Sequence, residues 1–219
     1  MPSKMLKKAM NDLDVCRRRY VGQEFRAADE GGEKHLTGHP AVFNSPTDIA
    51  GYFEEVIEPG AFDGCDLTDV PFFVNHRDYK IPLARSRNNN GNSTMKLSID
   101  LTGLAMDARV DTENNQEARA VYSAVERGDI SGMSFSFRVK EQNWENLDTR
   151  YPTRRIKKIS KVYEVSAVND PAYEDTDISA RDKEALESAR AALDSARSKE
   201  LESSNAAEVY KLRNEILSK

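Results

Sequence analysis

Residues 131–139 read SGMSFSFRV, a stretch in which apolar and small polar residues alternate. Alternation with a period of two is typical of a β-strand that buries one face. The buried face would be formed by Met133, Phe135, Phe137 and Val139. The three serines of the stretch, Ser131, Ser134 and Ser136, are expected on the opposite face. This strand would therefore have one apolar face and one face lined with hydroxyl groups.

A helix is predicted directly before this strand. Ala118, Val121, Tyr122 and Val125 follow the i, i+3, i+4, i+7 spacing of one helical face. Gly128 stands where a left-handed residue would end that helix. The chain thus changes from a helical period to a strand period within a few residues.

Further strands are predicted on both sides of this segment. Residues 95–101 and 104–110 alternate around Thr102-Gly103, which predicts a hairpin whose buried face includes Ile99 and Leu101. Residues 154–168 carry regularly placed Ile and Val residues and predict one or two strands that end before Pro171. Residues 72–74 form another short apolar run. The body of the chain is therefore predicted to be mostly strands, in the α+β class.

Composition narrows the class of protein. A chain of 219 residues allows one large domain, or one with an appendage, at about 150 residues per domain. Apolar runs stay well short of the roughly 18 residues that span a membrane, and the N-terminal stretch lacks the apolar block of a secretory signal. Two cysteines are too few for a disulfide scaffold. A net charge of -5 disfavours a nucleic-acid binder with one broad basic face.

Charge and composition divide the chain into three regions. Residues 1–16 are predicted to be a basic N-terminal tail, and residues 17–178 the main domain. Residues 179–219 contain neither Gly nor Pro and carry eight basic and eight acidic side chains. This C-terminal segment is predicted to be an amphipathic helix or weak coiled coil. Its apolar stripe would consist of Leu186, Leu193, Leu201, Val209, Leu212 and Ile216.

The histidines are the first candidates for chemistry. His35 and His39 are four residues apart, but Gly38 and Pro40 oppose the helix that would turn both rings toward a metal ion. We therefore interpret them as polar residues at the edge of a strand and predict neither a metal ion nor a cofactor. His76 follows an apolar strand, a position that suits a general base and equally an ordinary surface histidine.

A nucleophile and an acid are needed to complete a hydrolytic site. A serine hydroxyl reacts only when a base lies within hydrogen-bonding reach, and periodicity alone cannot choose among the three serines. Asp78, Glu164 and Asp175 are the candidate acids. Glu164 lies between Tyr163 and Val165 in a predicted strand, so its carboxylate could point away from both neighbours toward a histidine. Asp78 is more typical of a turn.

Five blocks of the sequence occur in a recognisable order. They are LTGHPAVFNS at 36–45, FEEVIEPGAF at 53–62, Asn75-His76 with PLAR at 82–85, RGDISGMSFSF at 127–137, and YEVSAVNDPAYEDT at 163–176. Together they cover roughly residues 17–178, and they resemble the prohead (capsid-maturation) serine proteases of tailed bacteriophages. The resemblance implies a fold similar to the herpesvirus assembly proteases, a small and mostly antiparallel β-barrel with helices packed around it.

The resemblance also implies roles for three residues. His76 takes the position of the general base, Ser134 that of the nucleophile, and Glu164 that of the third member. Two positions depart from the family pattern: Arg77 separates His76 from Asp78, and Ser136 replaces a glycine. Ser131 and Ser136 therefore remain alternatives to Ser134. The donor to the oxyanion is left open between Arg85 and a backbone N–H.

The implied function is a serine endopeptidase of capsid maturation, working inside the assembling prohead in the host cytoplasm. Its partners would be the major capsid protein, its scaffold segment and the protease itself. The alternatives are a non-catalytic assembly scaffold that keeps the protease fold, and a plain binding module with a coiled-coil tail. The C-terminal helix could support a homo-oligomer or docking in the prohead. Arg17, Arg18 and Arg19 could form a self-cleavage site or a salt-bridging edge. Neither a membrane nor a specific nucleic acid is expected as a partner.

Overall fold

The computed structural model describes residues 15–21, 25–49, 51–169, 187 and 190–205. Helix α1 spans Gln116–Glu126, residues 190–205 form a second helix, α2, and Arg87–Asn89 form a 3₁₀ turn. The strands of these ranges are β1 Val15–Val21, β2 Arg26–Glu30, β3 Glu33–Val42, β4 Thr47–Ile49, β5 Phe53–Ile57, β6 Pro71–Val74, β7 Ala84–Arg85, β8 Met95–Ile99, β9 Gly103–Arg109, β10 Gly132–Glu145 and β11 Thr153–Val168.

The strands form two sheets. The larger has seven strands in the order β1-β10-β11-β5-β4, with β6 pairing with β11 and β7 pairing with β6. The smaller is antiparallel, in the order β2-β3-β9-β8. Strand β11 is long enough to pair with two strands on one side, with β5 near its start and with β6 near its end. Both of these pairings are parallel, so the larger sheet is mixed.

The main core lies between the two sheets. Phe135 and Phe137 from β10 stack with their ring centroids 4.3 Å apart, and they pack with Leu36 and Leu104 of the smaller sheet. Helix α1 adds its four buried residues, Ala118, Val121, Tyr122 and Val125, to the same cluster. Burial of this apolar surface is the main force that holds the two sheets together. One face of β10 is thereby fixed against the core.

The closed barrel that the resemblance implies is wrong for the described residues. Closure requires the outer strands of a sheet to exchange backbone hydrogen bonds around the full ring. Here the described strands form two separate hydrogen-bonded sheets, and β3 packs against β10 without pairing with it. The α+β class, with mostly strands and two helices, is confirmed.

Most of the predicted helices and strands are present, although some begin or end at residues other than those predicted. Helix α1 is confirmed: Asn115 caps its N-terminus by accepting from two backbone N–H groups, and Gly128 has φ = 80°. The hairpin is confirmed as β8 and β9, but Leu101 is fully exposed because it belongs to the turn, and Ile99 is 42% exposed. Residues 154–168 belong to one strand, β11. The predicted end at Pro171 lies outside the described residues.

Helix α2 packs against the outer side of the larger sheet. Leu193 is buried against Ile49 and Phe53, and the Arg190 guanidinium lies 5.1 Å from the centre of the Tyr52 ring. Arg197 donates hydrogen bonds to two backbone carbonyls of the β10–β11 connection, at 2.9 and 3.3 Å. Helix α2 lies within the segment predicted to be helical, and of the predicted stripe Leu193 is buried and Leu201 is exposed. The stripe residues Leu186, Val209, Leu212 and Ile216 lie outside the described residues.

At the other end of the chain, Arg17, Arg18 and Arg19 belong to β1, which pairs antiparallel with β10. The predicted boundary between residues 16 and 17 therefore falls inside a strand. Among the described residues, neither helix is long and apolar enough to cross a membrane.

Candidate active site

Four polar residues share one face of β10 and β11. Ser134 pairs with Ser166 and Ser136 pairs with Glu164 in the antiparallel register, and residues opposite each other lie on the same face. All four are buried: Ser134 and Ser136 are each 2% exposed, Ser166 is 0% exposed and Glu164 is 7% exposed. The opposite face carries Phe135 and contributes to the main core. The two strands thus present a buried polar row that is backed by a rigid apolar core.

His76 reaches this polar row through a tight turn after β6. Asn75 and His76 have φ values of 50° and 56°, a left-handed conformation that is uncommon outside glycine. The turn is fastened to β11, because Asn75 N donates to Ala167 O at 2.8 Å and His76 N donates to Ser166 Oγ at 3.3 Å. The Asn75 side-chain oxygen also accepts from the Asn169 backbone at 3.1 Å. These bonds offset the cost of the backbone conformation.

The imidazole of His76 contacts the carboxylate of Glu164. The distance from Nδ1 to Oε1 is 2.5 Å, and the side chains are 13% and 9% exposed. An ionised carboxylate can only accept, so Nδ1 carries the proton of this bond. In the neutral ring the lone pair then lies on Nε2. The pair can therefore present a basic nitrogen to a substrate or to a hydroxyl group.

Two serine hydroxyls donate hydrogen bonds to the carboxylate of Glu164. Ser136 Oγ donates to Oε1 at 2.8 Å, and Ser166 Oγ donates to Oε2 at 3.2 Å. A buried carboxylate needs such donors because it has given up its hydration. The sequence did not assign a role to Ser166. Its position two residues after Glu164 on the same strand was the signal that could have found it.

The remaining sequence candidates are placed as follows. Ser131 precedes β10, so the expectation that it shares a face with Ser134 and Ser136 is wrong. The physical reason is parity, since an offset of three residues along a strand changes the face. Asp78 is exposed in the turn after His76, and Asp175 lies outside the described residues.

His35 and His39 both lie in β3 and pair with carboxylates. His35 Nδ1 is 2.6 Å from Asp107, and His39 Nε2 is 2.9 Å from Asp100. The bond from His39 is the main cause that lowers the pKa of Asp100. Within the described ranges, no three His, Cys, Asp or Glu residues cluster as a metal site would require. His35 thus pairs with a carboxylate of the neighbouring strand β9, and His39 pairs with a carboxylate of the turn between β8 and β9.

Arg85, one candidate donor to the oxyanion, has a carboxylate partner. Its Nε and Nη2 atoms donate to the two oxygens of Asp69 at 2.7 and 3.0 Å. This bidentate contact lowers the pKa of Asp69 and raises that of Arg85. Releasing Arg85 toward a substrate would require breaking both bonds.

A cavity of about 670 Å³ lies elsewhere, between the β10–β11 hairpin and α2. Trp144, Arg154 and the small residues Ala192 and Ala196 are part of its lining. His76, Ser134 and Glu164 are not among its lining residues. The polar row is therefore a separate site.

Comparisons with known proteins give one family match and one structural neighbour. A family model described as Caudovirus prohead serine protease matches residues 23–190. A solved structure, of the bacteriophage T4 capsid assembly protease gp21, is 12% identical, with a TM-score of 0.42, over 72% of this chain and 99% of that one. A search of curated protein sequences finds no match.

Proposed function

Because the chain belongs to the caudovirus prohead serine protease family, we propose that it is the endopeptidase of capsid maturation in its virus. Ser134 would be the nucleophile, His76 the general base, and Glu164 the acid that orients the base. The family membership supports the class of enzyme. The hydrogen bond between His76 Nδ1 and Glu164 supports the assignment of base and acid.

The proposed mechanism follows from the direction of that hydrogen bond. Glu164 holds Nδ1 protonated, so Nε2 can accept the hydroxyl proton of Ser134 as its oxygen attacks the scissile carbonyl. The same nitrogen then returns the proton to the leaving amine, which leaves an acyl group on Ser134. Water, deprotonated by His76, hydrolyses this ester. The buried carboxylate stabilises the imidazolium formed in both steps.

The proposed substrates are the scaffold segment and the major capsid protein, cleaved inside the assembling prohead in the host cell. The enzyme would also cleave itself, and Arg17, Arg18 and Arg19 are one proposed site. Because these residues belong to β1, cleavage there requires this strand to leave the sheet. The C-terminal helix is proposed to serve packaging or self-association rather than the chemistry.

Intact mass spectrometry of the purified protein, alone and with the major capsid protein of the same virus, tests the proposal. Wild type is compared over a day with Ser134→Ala, Ser131→Ala and Ser136→Ala. We expect discrete products from wild type and none from Ser134→Ala, because of the three serines only the nucleophile forms the acyl-enzyme. A fluorophosphonate probe should label the peptide that contains Ser134.

Two outcomes would contradict the proposal. Labelling and loss of cleavage at Ser136 or Ser131 instead would reject Ser134 as the nucleophile. A folded wild type that cleaves neither itself nor the capsid protein would favour the non-catalytic assembly scaffold. Circular dichroism of each variant shows whether a loss of activity reflects unfolding.

A further inference from the structure

Ser136, one of the alternative nucleophiles on the polar strand face, has a definite partner in the fold. Its hydroxyl donates to Glu164 Oε1 at 2.8 Å, the same oxygen that His76 Nδ1 approaches at 2.5 Å. A hydroxyl has one proton, and this bond directs it to the carboxylate. Ser136 therefore contacts the acid of the site.

Ser136 and Ser166 together hold the carboxylate from both sides. Ser136 donates to one oxygen and Ser166 to the other, at 2.8 and 3.2 Å. Two donors on two different oxygens oppose rotation of the carboxylate group about its last bond. Ser166 also accepts from the His76 backbone, so the turn and the carboxylate share one hydroxyl.

Burial strengthens the hydrogen bonds that Ser136 and Ser166 donate to the Glu164 carboxylate. Ser136 is 2% exposed and Ser166 is fully buried, so water competes weakly for the carboxylate. Hydrogen bonds to a charged group in such surroundings are stronger than bonds between neutral groups. The strand itself is rigid, because Phe135 and Phe137 on its other face lie in the main core.

We propose that Ser136 is a positioning residue, which holds the Glu164 carboxylate in the orientation that the His76 ring requires. The proposal rests on the proposed function for the roles of His76 and Glu164. Ser136 acts on the reaction only through Glu164, and it makes no bond to the substrate. Ser136 thus supplies a hydrogen-bond donor to the site rather than a second nucleophile.

A double-mutant cycle on the full-length protein tests this dependence. Ser136→Ala is made in wild type and in Glu164→Ala, and cleavage of a peptide taken from a mapped cleavage site is measured. We expect Ser136→Ala to lower kcat about tenfold in wild type, with KM nearly unchanged. In the Glu164→Ala background the same change should have less than about a twofold effect.

Ser160→Ala is the matched control. Ser160 lies on the same strand as Glu164, and its hydroxyl donates to the Arg138 backbone at 3.2 Å, away from the carboxylate. It should leave kcat unchanged. Equal losses from Ser136→Ala in both backgrounds would show a merely structural role and overturn the proposal. Complete inactivity of Ser136→Ala, together with fluorophosphonate labelling of wild type at Ser136, would also overturn it.

A second measurement does not depend on catalysis. The proton on His76 Nδ1 should give a downfield resonance in proton NMR, assigned by its loss in His76→Gln. We expect this resonance to shift or broaden in Ser136→Ala and to stay unchanged in Ser160→Ala. An unchanged resonance in Ser136→Ala would overturn the positioning role even if the protein proved to have no peptidase activity.

Discussion

Ser134 and Ser136 lie two residues apart on β10, and the fold gives them different partners. In the sequence both are serines on the polar face of one strand, so periodicity treats them alike. The antiparallel register places Ser136 opposite Glu164 and Ser134 opposite Ser166. A buried carboxylate beside Ser136 makes that hydroxyl a donor to Glu164. The register of β11 against β10 thus distinguishes Ser134 from Ser136, although both are serines on the same strand face.

A second prediction for a single residue concerns the reactivity of the Cys65 thiol. Burial, with a smaller contribution from the charge of Asp66, raises the pKa of its thiol to about 11. At pH 8 the thiolate fraction is then about 100-fold below that of an ordinary cysteine. We expect alkylation of Cys65 by iodoacetamide to be slower in the native protein than in urea by about this factor, measured by peptide mapping.

The pH dependence separates the pKa from simple access. Because only the thiolate reacts, the native rate should rise about tenfold per pH unit and continue to rise past pH 9.5. The rate in urea should level off there. A native rate that levels off at the same pH would contradict a raised pKa.

At the scale of elements, the length of β11 decides where the site forms. Its first residues pair with β5, and its last residues pair with β6, the strand that leads into His76. The sequence predicted strand structure over residues 154–168. It could not show that β6 runs parallel to β11, because parallel pairing joins segments that are distant in the chain.

The attachment of α2 can be tested at the same scale. Leu193 is 5% exposed, whereas Leu201 on the same helix is 65% exposed. Leu193→Ala should cost about 2 kcal/mol of docking free energy, since it removes buried apolar surface. We expect trypsin cleavage after Arg197 and Lys199 to become at least about tenfold faster, as proteolysis follows the population of the undocked helix.

Leu201→Ala is the matched control, because alanine preserves helix propensity at both positions. It should leave the cleavage rate unchanged. Equal acceleration by both substitutions would show that docking of α2 does not depend on the contact of Leu193 with the sheet.

At the scale of the whole molecule, several surface carboxylates favour the folded state above acidic pH. In five aspartates a hydrogen bond is the main cause that lowers the pKa of the carboxyl group. The aspartates and their donors are Asp29 with Lys34, Asp66 with Lys161, Asp69 with Arg85, Asp100 with His39, and Asp111 with the Asn114 backbone N–H. A carboxyl group whose folded pKa lies below its unfolded value stabilises the fold above the unfolded pKa. That contribution is lost as the pH falls through the folded value.

We therefore expect the urea midpoint of unfolding to fall as the pH is lowered from about 6 to about 3. The carboxylates are largely exposed, so the individual contributions are small and are screened by salt. The decrease should become smaller at high ionic strength. A midpoint that stays constant down to about pH 3 would contradict the stabilising role of these carboxylates.

The sequence by itself determined the α+β class, helix α1, the β8–β9 hairpin and the strand that carries Ser134. These features depend on local periodicity and turn residues, which are read from neighbouring positions. Its ordered blocks also pointed to the family and to His76 and Glu164 as partners. Leu101 was misplaced because local information does not give the residue at which a strand ends. Ser131 was misplaced because it precedes β10 and because an offset of three residues from Ser134 changes the strand face.

Only the tertiary structure decided how these elements meet. The register of β10 on β11, the parallel approach of β6 and the left-handed turn at Asn75 and His76 bring the imidazole to the carboxylate. The division into two sheets and the contact of Ser136 with Glu164 follow from the same pairings. The physical reason is that strand pairing is set by burial and hydrogen bonds between segments far apart in the chain, which no local pattern records.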